Sequence, residues 1–191
     1  MKPYQQPIHT IRQAYQAIHD FFSCYHPHEA LEEVDRLFTW AAKEKYYKKT
    51  APADIIFCVQ QLHHLFTAVE IINYSTGRKT SPILYHQTTT TLTPAHYLKD
   101  SPHCTAWQCS PRHLTAEEYL NPYWALKKLN DIPDWEEVLQ ELMEGALSNG
   151  SIEGSYTVGE VMKWRGKMMG IVEGGWLVEV RRRGSLQTNQ V

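Results

Sequence analysis

Four side chains able to hold zinc fall within eleven residues of this chain: His103, Cys104, Cys109 and His113, in the stretch HCTAWQCSPRH. Thiolate sulfur and imidazole nitrogen are both zinc ligands, and four such groups close a tetrahedral structural site. The spacing is at the edge of what such sites use, because four residues separate the cysteines and a histidine stands directly beside one of them. His86 and His96 are alternative ligands. The competing reading is an ordinary polar loop with free thiols or an occasional disulfide. A nucleophilic Cys104 or Cys109 paired with His103 or His113 would need spatial reach and a lowered thiol pKa, and adjacency in sequence supplies neither.

A second set lies on a helical pattern. His63 and Glu70 are two turns apart on one face of residues 52–74, His64 is adjacent, and His19 belongs to the preceding helical pattern. Bundles build metal sites from inward-facing carboxylates and imidazoles, but the di-iron arrangement needs Glu-x-x-His on two helices, and no Glu-x-x-His occurs in the chain. The zinc-peptidase motif is missing too, so the alternative is a half-buried histidine bonded to backbone or to Glu70.

Basic residues interleave with tyrosines in KEKYYKK at 43–49, and three arginines run from Arg181 to Arg183. Such runs can hold phosphates and stack on bases. The same lysines also suit the C-terminal end of a helix dipole, and a net charge of −2 gives no general attraction to nucleic acid or anionic lipid. Dinucleotide, P-loop and Gly-x-Ser-x-Gly signatures are absent.

These residues must be positioned by helices. In PADIIFCVQQLHHLFTAVEIINY, Ile55, Val59, Leu62, Phe66 and Val69 form one stripe, flanked by Cys58, Leu65 and Ile72, which predicts a central helix over 52–74. Upstream, a helix over 7–24 is expected to bury Ile11, Tyr15, Ile18 and Phe22, and a helix reaching Lys49 to bury Leu31, Val34, Phe38 and Ala41. Residues 77–114 hold four of the ten prolines and no sustained period, with a short strand expected at 83–87. Capping boxes then follow at Thr115/Glu118, Asp134/Glu137 and Thr157/Glu160, with a further helical start at Asn121-Pro122. The last helix is expected to fail near Gly174-Gly175, and Trp176 to Arg182 to form a closing strand or a helix remnant.

The order of patterns repeats. Tyr15, Ala17, Ile18 and Phe21 match Tyr123, Ala125, Leu126 and Leu129 at an offset of 108. Leu31 to Val34, with Phe38 and Ala42, match Trp135 to Val138, with Leu142 and Ala146, at 104. Asp54, Ile55, Ile56, Leu62 and Phe66 match Glu160, Val161, Met162, Met168 and Val172 at 106. The expected fold is therefore mainly α, a helical bundle of two related three-helix units at 7–76 and 115–180, joined by the irregular segment 77–114 and followed by a disordered tail at 181–191. The plain alternative is that any two amphipathic helices align on their apolar residues.

The longest unbroken apolar run, Ile55 to Val59, is too short to span a bilayer, and MKPYQQPIHT has no apolar signal core. The expected setting is the cytoplasm, with reduced Cys24 and Cys58 buried in helices. Six tryptophans and eleven tyrosines exceed what a small core hides. This favours a non-enzymatic module that binds another protein or a second copy of itself, with a metal-binding protein or metalloenzyme using the His/Cys loop or the bundle histidines as the alternative, zinc being the expected metal, and nucleic-acid binding behind it.

Overall fold

A computed structural model of the chain describes residues 7–43, 51–76, 111–148, 151–152 and 156–188. It is mainly helical, with no strand among the described residues. The helices are α1 Ile11–Cys24, α2 Pro27–Ala41, α3 Pro52–Thr76, α4 Ala116–Leu120, α5 Pro122–Leu126, α6 Trp135–Leu147 and α7 Val158–Thr188, with a 3-10 segment at Lys127–Asp131 between α5 and α6.

Local chemistry sets several of these boundaries. Thr10 caps α1 by accepting the Gln13 N–H, while the Gln13 side chain accepts the Thr10 N–H in return. Reciprocal boxes also form at Thr115/Glu118 and Thr157/Glu160, where the sequence places them. Asp134 is different: it precedes α6 in a left-handed conformation, φ 43°, and its side chain makes no cap bond.

All eight apolar positions singled out on α3 are buried, from Ile55 to Ile72. The buried side of α1 is turned from the expected stripe, with Ala14, Ala17, Ile18, Phe21 and Phe22 inside and Ile11 exposed. Cys58 is buried as expected, whereas Cys24 is exposed.

The most enclosed helix is α7, not α3. Every residue from Met168 to Glu179 is buried, and α7 packs against α1, α2, α4, α5 and the 3-10 segment. The expected break at Gly174-Gly175 and the strand over 176–182 are thus corrected: α7 continues unbroken to Thr188. A helix covered on all sides shows no one-sided stripe, and its glycines serve packing instead of termination. A Cβ at Gly174 would stand 2.7 Å from the Ala125 Cβ and 3.2 Å from the Pro122 carbonyl oxygen. Position 181, where a disordered tail was expected to begin, lies inside this helix, and Arg181 is buried. The strand expected at 83–87 lies outside the described residues.

Elsewhere α3 packs on α1, α5 and α6, and α2 packs on α6 and α7. One hydrophobic cluster draws on residues from Ile8 to Ile72 and from Leu126 to Val178. The Tyr15 and Tyr123 hydroxyls, at positions aligned above at the offset of 108, share a hydrogen bond of 2.7 Å. A Cβ on Gly145 would lie 3.4 Å from the Cα of Ala41, the residue 104 positions before it.

Candidate functional site

Between α3 and α6 lies a groove of about 1230 Å³. The apolar side chains lining it are Ile56, Val59, Trp135, Leu139, Met143 and Leu147. Carboxylates lining it are Glu70, Asp134, Glu136, Glu137, Glu141 and Glu144. The helical patterns account for this mixture: the part of α3 facing α6 is apolar, while α6 carries glutamates along the edge of its buried stripe. His63 enters from α3, its ring centroid 5.2 Å from that of Trp135 and its Nε2 3.8 Å from Glu136 Oε1. Phe66 packs edge-on to the same indole at 5.7 Å and fixes the start of α6. Near the groove, the Tyr156 phenol is pushed up to about 12, first by its hydrogen bond to Glu141 and then by burial. Apolar lining flanked by carboxylates can bind a cationic, partly apolar ligand.

Away from the groove, α7 carries buried ionic groups. Glu173, 3% exposed, accepts the backbone N–H groups of Arg112 and His113, both at 2.7 Å. Burial raises the pKa of this carboxyl, against the pull of those two N–H groups and of the Lys128 and Arg112 charges. Glu179 bonds Nδ1 of His19 at 2.7 Å, and Arg181 donates to the carbonyls of Tyr119 and Leu120 at the end of α4. Arg182 lies 4.7 Å over the Tyr15 ring. These contacts tie α7 to α1, to α4 and to Arg112 and His113 just before α4, so two of the arginines considered for nucleic acid are engaged within the protein.

The sequence-based candidates separate. His103, Cys104 and Cys109, with His86 and His96, lie outside the described residues. His113 is described: its carbonyl accepts from Lys128 at 3.3 Å, and its ring pKa is lowered by partial burial and then by Arg165, Arg112 and Lys128. His63 and Glu70 both line the groove, but the carboxylate nearest to His63 is Glu136. His19 turns to Glu179 on α7 and not to His63. Among the described residues, no three His, Cys, Asp or Glu side chains converge to hold a metal ion.

Sequence reasoning missed Glu173 and Glu179, and weighed Arg181 only for nucleic acid, where the structure has it bonding the end of α4. The signal was present in IVEGGWLVEVR, where isolated charges interrupt an apolar run and must find partners if the run is buried. By length and composition α3 could also cross a membrane, its mean hydropathy reaching 1.5, but half of that window is buried inside the structure. The chain matches no known protein family, no curated protein and no solved structure.

Proposed function

We propose that this chain is a non-enzymatic interaction module of the cytoplasm, built as a bundle of two related three-helix units, whose binding face is the groove between α3 and α6. The observation that carries the reading is the groove itself: the apolar side chains of Ile56, Met143 and Leu147 stay accessible in a channel flanked by carboxylates. Long, partly apolar grooves between helices are where proteins receive segments of other proteins. Cys24 and Cys58 are thiols and not a disulfide, which suits a reducing compartment.

The duplication is supported by how the helices pair. Exchanging α1 with α5 plus the 3-10 segment, α2 with α6 and α3 with α7 turns each principal packing pair into another observed one. The α1–α3 pair maps onto α5–α7, and the α2–α7 pair onto α6–α3. The α2–α6 pair maps onto itself. Residues related by a twofold axis can touch their own mates only near that axis. Tyr15 and Tyr123 are such mates in contact, and Ala41 and Gly145, 104 residues apart, approach so closely that a Cβ on Gly145 would stand 3.4 Å from the Ala41 Cα.

A photo-crosslinking side chain at Met143, compared with one at the exposed Gln16 on α1, tests the binding face. Adducts with a partner protein or a second copy are expected from position 143 and not from 16. Equal yields at both positions, or none at either with a monomer by light scattering, would remove the reading.

A further inference from the structure

The duplication gives the α3–α6 groove an internal comparison, the α2–α7 interface. There, Arg165 occupies the position of Val59 at the offset of 106, and Asp35 that of Leu139 at 104. Arg165 Nε donates to Asp35 Oδ1 at 2.7 Å, so an arginine on a carboxylate fills the space between those two helices. Glu32 and Glu33 likewise stand where Glu136 and Glu137 stand, and Arg36 bridges both, at 3.5 and 2.6 Å. In the groove, Gln140 replaces Arg36 and turns its amide to Glu144 at 2.9 Å. One interface thus brings its own cations. Among the described residues, the other offers Glu136 only the imidazole of His63, and Glu137 no ion pair.

We propose that the α3–α6 groove receives an amphipathic helix of a partner protein that carries lysine or arginine on both sides of its apolar stripe. This rests on the interaction reading above and names its occupant. The partner's apolar residues lie over Ile56, Met143 and Leu147, and its cations take the place that Arg36 holds in the sister interface, beside Glu136 and Glu137. On α3 the groove runs from Ile56 to Glu70, about 21 Å, which matches a helix of about 14 residues. Acidic helices are repelled by the same carboxylates, as are phosphate-bearing surfaces.

The probes are three labelled helix-forming peptides with one leucine stripe and flanks of lysine, glutamate or serine, titrated by fluorescence anisotropy against the full chain. The lysine peptide is expected to bind at least about tenfold more tightly than the glutamate peptide, with the difference shrinking between about 0.05 M and about 0.5 M salt. Glu136→Lys with Glu137→Lys, at two exposed positions, reverses the order, and Met143→Arg weakens all three peptides, with circular dichroism verifying the fold of each variant. If the three peptides bind alike and Met143→Arg abolishes that binding, the groove remains an interaction face and the basic occupant is overturned. If the double reversal leaves the lysine preference intact, the site lies elsewhere and the proposal is overturned. If no peptide binds, the occupant and the interaction reading fall together.

Discussion

Replacing Gly174 and Gly166 by alanine, separately, probes the packing of α7 with opposite expected signs. Neither glycine has a positive φ, so alanine is accepted by the backbone at both. At Gly166 nothing stands within 4 Å of the new Cβ, and the helix gains only propensity, about 0.5–1 kcal/mol. At Gly174 the Cβ meets the Ala125 Cβ at 2.7 Å, the Pro122 carbonyl at 3.2 Å and Leu126 Cδ2 at 3.4 Å. The first two are fixed to the α5 backbone and cannot swing away, so the upper part of the overpacking range applies, about 3 kcal/mol. Less the propensity gain of about 1 kcal/mol, Gly174→Ala is destabilised by about 2 kcal/mol. For a chain of this size each kcal/mol moves Tm by about 2–4 °C, giving a fall of about 4–8 °C for Gly174→Ala and a rise of about 1–4 °C for Gly166→Ala. Calorimetric melting of the two variants beside the parent reads both shifts. A Gly174→Ala protein as stable as the parent would refute the close approach of α5 to α7.

Two further outcomes follow from the thiols and from Glu173. Burial pushes the Cys58 thiol up to about 12, while Cys24 is exposed, so a maleimide at pH 8 labels Cys24 in the folded protein and reaches Cys58 only in denaturant, as read by peptide mass mapping. Because the folded pKa of Glu173 is raised, the native state holds its proton longer than the unfolded chain does. Its contribution is therefore most favourable below the ordinary glutamate value and falls as pH rises through the folded value. Glu173→Gln loses one of the two acceptors facing Arg112 and His113, which costs about 1–3 kcal/mol, and flattens the pH dependence of urea midpoints across that window.

The helices legible in the sequence are those with one wet side. The stripe on α3 and the boxes at Thr115 and Thr157 are local signals, and local chemistry decided them. On α1 the expected stripe is rotated because Tyr15 sits at the margin of the core, half-buried, where its hydroxyl meets that of Tyr123. The end of α7 was misread because glycine carries two meanings, helix end and close packing, and only the identity of the opposing side chain distinguishes them. Asp134 failed as a box because its backbone turns left-handed and takes the carboxylate away from the N–H groups. Of the groove, His63 and Glu70 were visible as one face of a helix. The opposite wall was not, because α6 begins 59 residues after α3 ends, and no local pattern reports that pairing.

The enclosure of α7 has a bearing on synthesis. Every helix that surrounds it is translated earlier, so on the ribosome α1, α2 and α5 present apolar faces with their common partner still to come. At about 5–20 residues per second, the 31 residues of α7 take about 2–6 s to add, an interval in which the nascent chain depends on chaperone cover or on a provisional collapse that must later admit a whole helix.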